Sequence, residues 1–282
     1  MKIVLDKNYT ASLLQDRQSS GHKYTFGKLL VIGGSEEFPG APQMTTMAAY
    51  RAGCGLVALA CPSVCIPSAT TISKETVYIP LPANTEELFT SLNSYSSVVV
   101  GPGIGRSEST HTLLKRIIHD TAIPTLLDAD ALFWLALQQS AVHTLAPLIL
   151  TPHEGEMARL LNTTAKEVAL AREEHALRCA QRYIATVVLK GSETIIATYD
   201  GHVWQNSTGG VNLATAGTGD ILAGIIGSLL AQGYSTENAC CLGVYLHGSA
   251  GDLWKALHGD RGMIATDLIT LLPDAYVALQ QS

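Results

Sequence analysis

Short apolar runs closed by glycine alternate along this chain with longer amphipathic segments, a rhythm that predicts strands feeding helices. Residues 26–34 (FGKLLVIGG) read as a buried parallel strand delivering a loop, residues 43–53 as a helix and residues 55–62 (GLVALACP) as the next strand. Together they form a βαβ unit. Further strands are expected at 76–79, 97–100, 124–132 and 148–150, the third entering an acidic loop at Asp128 and Asp130. Helices are expected at 110–119 and 164–183, with another in the polar stretch that follows residue 79. A tight hairpin is expected where 186–189 and 195–197 flank Lys190-Gly191-Ser192-Glu193-Thr194. Residues 1–25 read as a helix with an entry loop, 236–258 as a buried packing helix, and 263–268 as a loop with a short terminal helix. No repeat, long linker or composition break divides the chain, so residues 1–282 are expected to form a single α/β domain. Its mostly parallel central sheet would be flanked by helices, with binding loops along the carboxyl edge.

The most informative stretch is 206–233, NSTGGVNLATAGTGDILAGIIGSLLAQG, where a polar glycine-rich loop turns at residues 216–220 into an apolar helix. Ile221, Leu222, Ile225, Leu229 and Leu230 fall on one helical face, and Gly233 is a natural stop. Small residues feeding a helix start leave backbone N–H groups uncovered and aligned, a recipe for holding a phosphate or a developing anion. Asp220 at that start has two readings of equal weight, a structural cap and a catalytic base. The glycines at 217 and 219 favour chemistry, because they weaken local order unless a close approach requires them. No Gly-Lys-Ser/Thr follows, so this is not the phosphate loop of the common nucleotide hydrolases.

Other loops carry weaker signals. Gly33-Gly34, Gly40-Ala41 and the GPGIG loop at 101–105 permit close backbone approach to a ligand, yet glycine and proline also make ordinary turns. Asp128 and Asp130 suit substrate or structural roles better than direct metal ligation. His153 in TPHEGE is a candidate substrate contact, with Glu154 and Glu156 as helix caps. Lys190, Ser192 and Thr194 are placed to face a phosphate, although a hairpin lysine also serves solvation. His247 and Asp252 read as hydrogen-bonding partners within the packing helix.

Composition narrows the function classes. With 47% hydrophobic and 15% charged residues and net charge −6, the chain has ample core and no basic surface for nucleic acid. Its apolar runs are too short for a membrane span and its first residues lack a signal core, so a cytoplasmic location is expected. The cysteines at 54, 61, 65, 179, 240 and 241 lack zinc-ligand spacing and read as structural thiols, so no metal ligand is assigned to the protein.

In chain order, FGKLLVIGGS, RAGCGLV, GPGIG, LLDADAL, TPHEGEMARL, VVLKGSETIIA, the 206–233 stretch, GVYLHGSAGD and MIATDL resemble the ADP/ATP-dependent NAD(P)H-hydrate dehydratase family nearly end to end. The resemblance implies a ribokinase-like fold and a carbon–oxygen lyase closest to the stand-alone ADP-dependent bacterial form. The implied substrate is the S form of NADH-hydrate or NADPH-hydrate, with ADP as phosphoryl donor and Mg²⁺ as its companion ion. By the same resemblance Ala41, Ile104, Gly105, His153 and Asp220 contact the hydrate. Lys190, Gly191, Ser192, Glu193, Thr194 and Gly219 bind the nucleotide. Ala216, Gly217, Thr218 and Gly219 form the anion hole, and Asp220 is the general base. A separate NAD(P)H-hydrate epimerase is the implied functional partner, and the implied assembly is a homo-oligomer such as a tetramer. The sequence departs from the family pattern at Tyr24 and at 209–213, where GGVNL stands for the usual GNPGM. The rival readings are a vitamin-precursor or sugar kinase of the same fold and a catalytically silent nucleotide sensor.

Overall fold

The computed structural model describes residues 2–82, 85–138 and 145–281. Among the described residues the first half runs β1 (Lys2–Leu5), α1 (Lys7–Ser12), β2 (Lys28–Ile32), α2 (Ala41–Arg51), β3 (Leu56–Pro62), α3 (Ile66–Ile72), β4 (Val77–Leu81), α4 (Thr85–Ser91), β5 (Ser97–Val100) and α5 (Glu108–Asp120). It continues through β6 (Thr125–Leu127), α6 (Asp130–Leu137), β7 (Leu148–Leu150), α7 (Glu154–Leu161), α8 (Ala165–Leu170) and α9 (Arg172–Tyr183). The last part comprises β8 (Thr186–Leu189), β9 (Ile195–Ala197), β10 (Val203–Asn206), α10 (Thr218–Ala231), α11 (Thr236–His258) and α12 (Ala265–Gln280).

The strands form one ten-stranded sheet in the order β1-β10-β9-β8-β7-β6-β5-β2-β3-β4. Among the described strands only β9 runs against its neighbours, as the second arm of the expected hairpin. Strand order reverses between β2 and β5, so the loops leaving these two strands open a crevice at a topological switch point. The central strands read as continuous apolar runs because both of their faces are covered. Leu29 and Val31 pack into one core with α2, α10, α11 and α12, whereas Leu30 and Ile32 pack into a second core with α5, α6, α7 and α9.

Helix α10 is the central post of the first core. Its apolar residues are buried on every side, including Ala223 and Ile226, so the single face expected from periodicity is too narrow a description. Glycine lets this helix approach its supports. A Cβ at Gly227 would lie 2.4 Å from Val99 of β5, and one at Gly224 would lie 2.2 Å from the Thr45 carbonyl oxygen of α2. Ser97 donates a 2.9 Å bond to the Gly227 carbonyl, pinning the helix to the sheet.

Several expectations need correction. The first residues contain an edge strand, β1, which pairs with β10 from Lys2 against Val203. β1 has no local signature, because it is short and its partner is far away in sequence. The strand expected to run to residue 132 stops at Leu127; Ala129 turns with φ 51° and the apolar DALFWLAL becomes α6. The helix expected at 164–183 breaks at Ala171 into α8 and α9, and the terminal helix is long rather than short.

Gly224→Ala should lower the unfolding free energy by about 1–3 kcal/mol, since the new methyl must displace α2. A urea titration would read this as a lower midpoint with unchanged slope, and an unchanged midpoint would contradict the close helix contact.

Candidate active site

The site begins at the start of α10. Gly217 is its N-cap with φ 93° and makes no side-chain capping bond. A Cβ there would lie 2.7 Å from Met44 Cε, so glycine meets both the backbone and the space requirement. The first intrahelical bond is Ile221 N–H to the Gly217 carbonyl, which leaves the N–H groups of Thr218, Gly219 and Asp220 without helical acceptors. Asp220 therefore lies inside the first turn rather than at the cap position.

Neighbouring elements hold this turn rigid. Thr218 Oγ1 donates to the carbonyls of Leu213 and Thr215, both at 3.1 Å. Thr45 Oγ1 donates to the Asp220 carbonyl at 3.0 Å. His247 of α11 reaches the Thr218 carbonyl through Nε2 at 3.0 Å, so Nε2 carries the proton. Burial pushes the pKa of His247 down to about 4, which keeps the ring neutral.

A cavity of about 770 Å³ opens in front of the turn. Ala216 to Asp220, all of Lys190 to Thr194, and His153 line it, together with Asp128 at the end of β6. Asp128 is 1% exposed and accepts two bonds on one oxygen, from Lys190 Nζ at 2.8 Å and from Thr151 Oγ1 at 2.7 Å. Glu156 Oε2 stands 3.8 Å from the same ammonium, and a Cβ on Gly219 would lie 3.4 Å from it. Lys190 is thus an anchored cation facing the uncapped turn at the start of α10, not a solvated hairpin lysine.

The charges are tightly balanced. Burial works against the Lys190 ammonium, but Asp128, Glu156 and Asp220 together hold its pKa above the ordinary lysine value. Burial raises the pKa of Glu156, and Lys190 offsets part of that. Asp220 is pushed up to about 7, chiefly by burial and then by the charge of Asp128, with Lys190 opposing. A carboxylate poised near neutrality can take and return a proton.

His153 combines two tasks. Its Nδ1 accepts the N–H groups of Gly155 and Glu156 at 3.0 and 3.3 Å, and the His153 N–H donates to the Glu156 carboxylate at 2.8 Å. The ring is therefore the N-cap of α7 while still lining the cavity, and in its neutral form its proton sits on Nε2. Glu154 and Glu156 do occupy the first turn of α7, as the sequence suggested.

Ile104 and Gly105 do not line this cavity. They border a second one, of about 860 Å³, with Gly33 and Gly34 at the switch point. Ala41 opens α2 and lines neither; a Cβ on Gly103 would lie 3.2 Å from the Ala41 methyl. The GPGIG loop joins the two regions through Gly101, which packs on the Asp128 carbonyl where no side chain would fit. Asp130 accepts the Gly105 N–H at 3.2 Å and Arg106 Nε at 2.8 Å, a structural role. Sequence reasoning missed the pairing of Asp128 with Lys190 and the cavity wall supplied by Val244, His247 and Gly248 of α11.

The sequence model of a family described as NAD(P)H-hydrate dehydratase matches residues 29–274. The chain is 40% identical over 282 residues to the bifunctional NAD(P)H-hydrate repair enzyme of Moorella thermoacetica, spanning 96% of this chain and 53% of that relative. It therefore covers about half the length of such bifunctional relatives. It is 31% identical to the ADP-dependent (S)-NAD(P)H-hydrate dehydratase of Bacillus subtilis, with 95% of each covered. Among solved structures, the Bacillus subtilis ADP/ATP-dependent NAD(P)H-hydrate dehydratase co-crystallised with ATP/Mg²⁺ superposes with TM-score 0.90 at 29% identity, covering 98% of both chains. A ribokinase-like superfamily protein from Enterococcus faecalis superposes with TM-score 0.89 at 27% identity, covering 100% of this chain and 97% of that one. The fold is ribokinase-like.

Holding Asp220 at about 7 means the folded state keeps a proton that the unfolded chain releases at ordinary carboxyl pH. The site therefore costs stability as pH rises toward that value, and the cost levels off above it. Asp220→Asn should raise the melting temperature at pH 8 and raise it less at pH 5; equal effects at both pH values would contradict the shifted carboxyl.

Proposed function

The chain belongs to the NAD(P)H-hydrate dehydratase family, and we propose that it uses ADP to convert the S form of NADH-hydrate or NADPH-hydrate back to NADH or NADPH. The observation that carries this reading is the position of Asp220, a carboxylate poised near neutrality inside an uncapped helix turn and facing a cavity lined by an anchored, largely buried lysine.

In this reading the lysine loop from Lys190 to Thr194 and the N–H groups around Gly219 hold the phosphates. Asp220 takes the proton of the ring hydroxyl, whose oxygen forms the new bond to the terminal phosphorus of ADP as the bond to AMP breaks. The ring nitrogen then donates its electron pair, the carbon–oxygen bond breaks toward phosphate, and the adjacent ring carbon loses a proton. The products are NAD(P)H, AMP and inorganic phosphate. Fixed N–H donors cost no reorganisation as charge builds on the transferred oxygens. Lys190 answers the same charge and is kept aimed by Asp128. His153, Ile104, Gly105 and Ala41 are the proposed hydrate contacts, which extends the substrate from the first cavity toward the switch-point crevice.

Mg²⁺ belongs to this reading as the ion that neutralises phosphate charge. The described residues contain no group of three or more acidic, histidine or cysteine side chains able to cage it. An ion carried in on a polyphosphate fits such a site, since phosphate oxygens and water supply most of its ligands. The bifunctional architecture of half-matched relatives supports a partnership with an epimerase that supplies the S form. A homo-oligomer, a tetramer in the fullest form of this reading, is part of the proposal. A cytoplasmic location is part of the proposal; no helix among the described residues is long and apolar enough to cross a membrane.

Incubating the protein with NADH-hydrate, ADP and Mg²⁺ should regenerate NADH with equal amounts of AMP and phosphate. A stable phosphorylated product would instead identify a small-molecule kinase, and binding without turnover a sensor. Asp220→Asn should lower kcat by about 10²–10⁴ fold while nucleotide binding persists. Because the base must be ionised, kcat/KM should climb with pH and level off above about 7; a profile flat from pH 5 to 8 would refute the assignment.

A further inference from the structure

We propose that Arg172 is a positioning residue that makes the phosphate-side loop at Lys190 and the ring-side loop at His153 behave as one body. The inference rests on the dehydratase reading only for what those loops bind.

Arg172 opens α9, lines neither cavity, and has a side chain 19% exposed. Its Nη1 donates to the carboxylate of Glu154, the residue directly after His153. Its Nη2 donates to the main-chain carbonyls of Leu189 at 3.0 Å and Lys190 at 3.3 Å. The same two segments also meet through the Lys190 N–H, which donates to the Pro152 carbonyl at 2.8 Å. The chain leaving β8 and the chain entering α7 are therefore stitched at two points, one of them a planar fork.

Gly191 makes room for the fork. With φ 144°, it sits where an added Cβ would lie 2.8 Å from Arg172 Nη1 and 2.9 Å from Nη2. The arrangement is not cost-free, because Arg172 Nε is buried without a hydrogen-bond partner. What the guanidinium holds in return is backbone on both sides of the site. Lysine carries the same charge but lacks the rigid paired donors that can grip a carboxylate and two carbonyls at once.

The test measures ADP affinity by calorimetry and NADH-hydrate turnover for the wild type, R172K, E154Q and the double variant. R172K should weaken ADP binding by about tenfold and raise the KM for the hydrate, the scale expected when a charged hydrogen-bond set is lost. Glu154 lines neither cavity, yet E154Q should weaken ADP binding about threefold, and the double variant should be no worse than R172K alone. Ethylguanidinium should restore part of the ADP affinity of R172A, which a general loss of packing would not allow. Wild-type ADP affinity in both single variants, or fully additive losses, would overturn the brace. Should R172K fail to fold, E154Q decides alone, since that side chain is 39% exposed. A wild type that binds ADP but does not dehydrate the hydrate would defeat the functional reading and leave the brace readable in ADP affinity.

Discussion

One largely buried ammonium organises the charges of the candidate site. Lys190 is hydrogen-bonded to Asp128, faces Glu156 and contributes to the field at Asp220. Three carboxylates share one cation, so it cannot hold all of them ionised at no cost. Asp128 has first claim through a direct bond, and Asp220 is left with partial compensation inside a partly dry site. That imbalance gives a carboxyl group able to change protonation state near neutral pH, which acid–base chemistry on an alcohol requires. A bound polyphosphate would enter the same balance as a fourth anionic party, facing the lysine and the uncapped turn together.

The scaffold supplies the rigidity this balance needs. The groups lining the cavity sit at the carboxyl ends of strands, with Asp128 after β6, His153 after β7 and Lys190 after β8. Asp220 comes from above that edge, at the tip of a helix whose body is buried throughout and seated on β5 through Gly227. Displacing it means moving core elements rather than a loop. Helix α11 adds a second wall, where a neutral histidine fixes the Thr218 carbonyl and Asp252 accepts the Gly209 N–H at 2.9 Å.

What could be read from the sequence follows physical locality. Strands β2, β3, β5, β7 and β8 announced themselves because both their faces are buried and their neighbours are apolar. β1 did not, because its pairing is with β10, about two hundred residues further along the chain. The strand expected at 124–132 ran on into the first residues of α6, because DALFWLAL is apolar at nearly every position and carries little periodicity. The glycine-rich turn at 216–220 and the lysine loop were legible as contiguous motifs, and the structure brings both to one cavity with His153. The residue pattern marked Gly40-Ala41 and the 101–105 loop only as turns that permit close approach, and the family resemblance made Ala41, Ile104 and Gly105 hydrate contacts; Ile104 and Gly105 border the second crevice, whereas Ala41 opens α2 and lines neither cavity. The Asp128–Lys190 pair was hidden by its 62-residue separation, and Glu156 was read as a cap, which it is, without its second role beside the ammonium.

The competition for Lys190 can be observed directly by following aspartate side-chain carboxyl carbons by NMR across pH, in the wild type and in Asp220→Asn. The account requires one aspartate that titrates near 7, is absent from the variant, and moves upward when Lys190 is replaced by glutamine. If every aspartate in the folded wild type titrates in the ordinary carboxyl range, around 4, the shared-cation account is wrong.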